Sequence, residues 1–180
     1  NCNIVIDKYP DSKYVEKAYL LKGISYFYKK SYDLAINNLS IILENFESEY
    51  TDKAILWTAH SFLKKEDINQ SNNYLFRLDG NKLNEENLYI YYNIKAEIYE
   101  SSNEMSNAYE NYLLASTITT NSSQKIYMYR KLINLSERSN DLLSKTKFIE
   151  LLEQYIDNTN EIRSLKIDWI ESKNELGHFD

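Results

Sequence analysis

The chain has 180 residues, 43% hydrophobic and 27% charged, which suits one domain with its own core and excludes a disordered chain. A net charge of −6 and a pI near 5.1 lack the basic footprint that neutralising phosphates demands, so a nucleic-acid partner is not expected. Three glycines and one proline are too few for the turns of a sandwich, barrel or doubly wound sheet, so the expected fold class is all-α with short polar connections.

In chain order, the pattern predicts a stub at 3–8 and helices at 13–30, 32–45, 51–65, 68–78, 85–101, 104–118, 122–137, 141–156 and 161–176. Ser12, Ser31, Asp67, Asn84 and Asn140 read as N-caps, and Gly80 falls in the break after Asp79. Connections of a few residues make neighbouring helices antiparallel. The first long helix, "EKAYLLKGISYFYKK", carries Ala18, Tyr19, Leu20, Leu21, Ile24, Tyr26, Phe27 and Tyr28 almost all the way round. A surface helix needs one apolar stripe only, so this one must be covered on both sides. No run approaches 18 apolar residues, and no membrane span is expected in this segment.

The order of residues repeats. "YVEKAYLLKGISYF" from Tyr14 lies over "YTDKAILWTAHSFL" from Tyr50 at an offset of 36, and "IVIDKYPDS" lies over "IILENFESE" at 37, placing Tyr9 over Phe46. Small residues recur in the first helices at Gly23, Ala59 and Ala96, each followed three residues later by Tyr26, Phe62 or Tyr99. Nine residues beyond Tyr26 and Tyr99 come Ala35 and Ala108, then Leu39 and Tyr112. Small residues let two antiparallel helices approach, and large ones fill the space between one pair and the next.

This pattern resembles the tetratricopeptide repeat (TPR) family. "YYNIKAEIYESSNEMSNAYENYLLAS" matches best, with Tyr92, Ala96, Tyr99, Ala108, Tyr112 and Ala115 at signature positions. The copy before it keeps Ala59, Phe62 and Leu75 with Ser71 at the alanine position, and a fourth, degenerate copy carries Tyr129, Leu132, Ile133, Lys145, Ile149 and Leu152. The resemblance implies a TPR-like α-solenoid over residues 1–180, with repeats at 13–48, 49–83, 84–120 and 121–158 and a capping helix at 160–176. The period exceeds the usual ~34 residues, and Tyr9, Pro10 and Ser12 resemble the Tyr-Pro-x-Ser of a bacterial envelope subfamily. That subfamily includes an outer-membrane-assembly lipoprotein and a cell-division-associated periplasmic protein. The likeness implies a periplasmic or outer-membrane-associated location, with a cytoplasmic one as the alternative.

Family groove positions, carried over from Gly23, fall on Leu20, Ile24, Phe27 and Tyr28; the equivalents are Leu56, His60 and Leu63, then Asn93, Glu97 and Glu100, then Tyr127, Arg130, Asn134 and Glu137. The implied groove is apolar at its N-terminal end and polar at the other. Leu20, Ile24, Phe27 and Tyr28 together are expected to form an exposed patch that an upstream repeat or a partner covers.

Little in the chain suggests catalysis. His60 and His178 are the only histidines, without an H-E-x-x-H or a triad context, and His60 reads as a groove or packing residue. Glu85 with Glu86, and Asp157 with Glu161, read as solvated helix-end charges. Most of the 17 tyrosines sit on signature positions as packing residues, leaving Tyr28 and Tyr127 for the groove. The sequons at Asn38, Asn121 and Asn134 read as chance matches. Cys2, the only cysteine, allows no internal disulfide and reads as an incidental thiol. The chain opens on Asn1 without a leader pattern, and reads as a piece of a longer protein. No enzyme activity, metal or cofactor is expected. The expected role is a scaffold binding a peptide or partner protein in the groove; a structural spacer or homo-oligomerisation module, and an accessory domain of a larger enzyme, are the alternatives.

Overall fold

The computed structural model describes residues 2–156 together with 160, 163, 164, 167, 169–171 and 174. Among the described residues up to 156 the helices are α1 (Cys2–Lys8), α2 (Val15–Tyr28), α3 (Tyr32–Asn45), α4 (Thr51–Lys64), α5 (Ile68–Leu75), α6 (Glu85–Ser101), α7 (Met105–Ile118), α8 (Ser122–Arg138) and α9 (Leu142–Glu153), with a 3₁₀ turn at Gly80–Lys82. No strand occurs among the described residues, so the fold class is all-α. Residues 1–94 and 95–180 form two compact units, the division falling within α6. In the first unit α1 packs on α2, α2 on α3, α3 on α4 and α4 on α5, and α2 also touches α4; in the second, α7 packs on α8 and α8 on α9.

The helix bounds follow the sequence pattern closely, with three exceptions. The stub at 3–8 is helical, as α1. Ser12 does not cap α2: Tyr14 holds the N-cap place, and the Ser12 hydroxyl accepts the Tyr14 N–H at 3.3 Å. Asn140 is displaced by one residue, since Asp141 caps α9 by accepting the Ser144 N–H at 3.0 Å. Asp67 and Asn84 do cap, accepting the N–H groups of Gln70 and Asn87; Ser31 holds the N-cap place of α3 without a side-chain cap bond, and Asn121, not foreseen, caps α8 by accepting the Gln124 N–H. Most of the helix expected at 161–176, and with it the capping helix at 160–176, lies outside the described residues, as do Asp157, Glu161 and His178.

Four turns join helix pairs α2/α3, α4/α5, α6/α7 and α8/α9, and they are built alike. Each puts one non-glycine residue in the left-handed region: Lys30 (φ 59°), Glu66 (φ 64°), Asn103 (φ 61°) and Asn140 (φ 56°), at intervals of 36, 37 and 37. In each, the next N–H reaches back to a carbonyl five residues earlier: Ser31 to Tyr26, Asp67 to Phe62, Glu104 to Tyr99 and Asp141 to Ser136, at 2.8–3.0 Å. This is the Schellman closure, which satisfies carbonyls that the end of a helix leaves without partners.

Counted from the turn residue, the buried positions recur. Nine residues on stand Leu39, Leu75, Tyr112 and Ile149, and seven before it stand Gly23, Ala59 and Ala96, all buried. At Gly23 the small residue is a steric necessity: a β-carbon there would lie 2.6 Å from Leu39 Cγ. In the degenerate fourth pair Ile133 is only half-buried, and Lys145 replaces the buried Ala35, Ser71 and Ala108, with its ammonium 3.5 Å from Glu137.

Candidate functional site: two helix-face clusters

In the first unit the sequence-derived residues gather round one ring cluster. Phe27 ends α2 against α4, its ring 4.9 Å from Trp57 and 4.5 Å from His60, with Tyr32 of α3 at 5.7 Å. Tyr28 stands edge-on to Phe27 and 5.5 Å from Trp57. The expected apolar patch is therefore mostly filled from within the chain. Leu20, Phe27, Leu56, His60 and Leu63 are buried and Ile24 is half-buried, while Tyr28 alone is open, at 71% exposure. The physical reason is Trp57, which α4 lays against the end of α2. Asn93 is also buried. Trp57 and Tyr32 were missed by sequence reasoning, although the repeat places Trp57 on the face of α4 that looks back at α2.

The second unit fills the corresponding places with charge. Glu97 is buried on α6 and accepts a hydrogen bond from the Tyr127 hydroxyl of α8 at 3.0 Å. One turn on, Glu100 accepts from the Tyr112 hydroxyl at 2.7 Å and from the Lys131 ammonium at 2.9 Å, with Arg138 at 3.4 Å. Burial alone would raise the Glu100 carboxyl, but the Tyr112 and Lys131 hydrogen bonds and the two cations outweigh it and hold it below the ordinary carboxylate value. Burial, and then donation to Glu100, push the Tyr112 hydroxyl well above its ordinary value. Tyr127, Arg130 and Asn134 are exposed on the same helix. Lys131, Arg138 and Tyr112 as partners of Glu100 were not foreseen, since nothing local marks an ion pair across 31 or 38 residues.

An open hollow of about 340 Å³ in the second unit is lined by Met105, Tyr109 and Glu110 of α7 and by Leu135, Ser139 and Asp141; none of the sequence-derived site residues lines it. Among the described residues no group of three or more His, Cys, Asp or Glu is placed to hold a metal ion, and no helix is long and apolar enough to cross a membrane.

No protein family, curated protein or solved structure matches the chain.

Proposed function

We propose that the chain is a TPR-like α-solenoid serving as a non-enzymatic scaffold that holds a peptide or partner protein. The observation that supports this reading is the recurrence of one helix–turn–helix at intervals of 36, 37 and 37 residues. Its buried positions are kept in the first three pairs and in part in the fourth, while side chains on the first-helix faces change from Tyr28 and Ile24 to Tyr127, Arg130 and Asn134. A scaffold built this way keeps its packing while each surface segment takes up its own chemistry. The partner-facing residues proposed are Tyr28 and Ile24 in the first unit and Tyr127, Arg130 and Asn134 in the second. These are two separate patches, and Leu20, Phe27, Leu56, His60 and Leu63 shape the one in the first unit from beneath. The Tyr9-Pro10-x-Ser12 likeness supports a bacterial envelope location, which fractionation of the native cell checks.

Tyr28 is the cleanest probe, because Phe27 is buried and its truncation would also unsettle the fold. With a photo-crosslinking residue at Tyr28 or Arg130 in the native-length protein, a discrete partner adduct is expected. Tyr28→Ala should weaken that partner's binding about tenfold or more, as exposed aromatic anchors do, while helicity stays intact. Binding unmoved by Tyr28→Ala and by Arg130→Ala would remove both proposed patches.

A further inference from the structure

The seam between α7 and the end of α8 lacks a contact that the matching seam of the first unit has. Asp33 of α3 stands three places after the turn residue Lys30, and Ser106 of α7 stands three after Asn103. Lys65 stands one place before the turn residue Glu66, and Ser139 one before Asn140. In the first unit the Lys65 ammonium crosses the seam and donates to the Asp33 carboxylate. In the second unit both partners of that ion pair are serines, and both serines line the open hollow of about 340 Å³. Where a lysine stem and an aspartate bridge one seam, the other has two short hydroxyls and a hollow.

The walls of the hollow suit the kind of side chain that fills the first seam. Tyr109 and Leu135 give it an apolar side along which methylene groups can lie. Ser106 and Ser139 offer hydroxyl oxygens as acceptors, and Glu110 and Asp141 bring two exposed carboxylates. Hydrogen bonds from the Ser144 side chain and backbone hold the Asp141 carboxyl below its ordinary value, so its charge persists into acid. Among the described residues lining the hollow none is a lysine or an arginine. Its volume is at the small end of ligand pockets, which run from about 300 to 1,000 Å³, so one aliphatic chain fits better than a cofactor-sized molecule.

We propose that this hollow binds an aliphatic primary ammonium, carried by a lysine side chain of a partner or by a free alkylamine. Its methylenes lie on Tyr109 and Leu135, and its ammonium is directed to Glu110 and Asp141 with the Ser106 and Ser139 hydroxyls as further acceptors. The bound group does in the second seam what Lys65 does in the first. The hollow shares no residue with the patches around Tyr28 and Arg130, so it stands or falls separately from them.

The test is a nuclear magnetic resonance titration of the 180-residue protein with Nα-acetyl-lysine methylamide and, separately, with pentylamine. Saturable shifts at Ser106, Tyr109 and Ser139 are expected, with a dissociation constant in the millimolar range that rises with salt, because exposed ion pairs are weak and screened. Saturation by both ligands shows that the hollow admits a peptide lysine; saturation by pentylamine alone assigns the free amine. Ser106→Asp with Ser139→Lys rebuilds the first unit's ion pair across the hollow and should abolish the shift at Tyr109. Glu110→Gln with Asp141→Asn, which keeps a capping side chain on α9, should weaken binding about threefold or more. Pentan-1-ol, of similar shape but neutral, should bind more weakly than pentylamine. The alcohol comparison needs no substitution, so it decides the matter should a variant fold poorly. Equal binding of the alcohol and the amine, no saturable shift with either amine, or binding indifferent to both double variants with their spectra still those of the folded protein overturns the proposal.

Discussion

The two units solve one packing problem with different chemistry. Three residues before the turn residue, the first helix sends a side chain toward the position nine before the turn residue of the following pair. In the first unit that contact is Phe27 on Trp57, 4.9 Å between ring centres; in the second it is Glu100 with Lys131, at 2.9 Å. Burying rings draws on apolar area removed from water, a non-directional term that tolerates neighbours such as His60. The ion pair needs every lone pair and proton placed, which is why Tyr112 and Arg138 also converge on Glu100. The helix–turn–helix frame thus fixes where a contact occurs without fixing its chemistry, and the two seams should respond to different perturbations.

Truncation at the aromatic seam should have the largest effect. Phe27→Ala removes a buried ring facing Trp57, His60 and Tyr32, and is expected to cost about 3–5 kcal/mol in chemical unfolding. Because Trp57 is in direct contact with that ring, its fluorescence should shift in the folded state as well. A loss under about 1 kcal/mol would mean that the seam is not a core.

The ionic seam should break more gently and with pH. Glu100→Gln leaves Lys131 and Tyr112 without their carboxylate and should cost about 1–3 kcal/mol near neutral pH. The Glu100 carboxyl is held below its ordinary value. Its contribution is therefore present above the unfolded value, near about 4.3, and is lost as pH falls through the lowered folded value. The Tyr112 hydroxyl is held above its ordinary value, so its contribution is present below about 10 and is lost as pH rises beyond that. Hydrogen exchange corrected for intrinsic rates should show α8 loosening at acid and alkaline extremes in the native protein. Glu100→Gln should flatten its acid limb and leave α4 unchanged. An acid limb of equal depth in the Glu100→Gln variant would assign the acid sensitivity elsewhere.

The turns supply the smallest contrast. The first unit holds Lys30 and Glu66 in the left-handed region, whereas the second uses Asn103 and Asn140, which tolerate it better. Lys30→Gly and Glu66→Gly should each stabilise by about 0.5–1 kcal/mol in thermal unfolding, and Asn103→Gly by no more than a few tenths. Equal gains at all three turns would show that residue type at the turn does not distinguish the units.

Read alone, the sequence determined the helical class, nearly every helix boundary and the 36-to-37-residue recurrence. These depend on local chemistry: side-chain caps at Asp67 and Asn84, and the spacing of Gly23, Ala59 and Ala96. Cap choice was less legible where two adjacent residues could each serve, as Asn140 and Asp141 show, because only backbone conformation decides which one turns left-handed. The faces of α2 were not legible. Leu20, Leu21, Ile24, Phe27 and Tyr28 are all apolar, and periodicity cannot say which of them another helix covers. Trp57 covers Phe27 and leaves Tyr28 and Leu21 open, a choice made by a residue 30 positions away. The same holds for Glu97 and Glu100, which read as groove charges until Tyr127, Lys131 and Arg138 close on them. Local propensity and spacing place the helices, but burial and ion pairing are properties of what lies opposite, and only the tertiary structure brings those partners within reach.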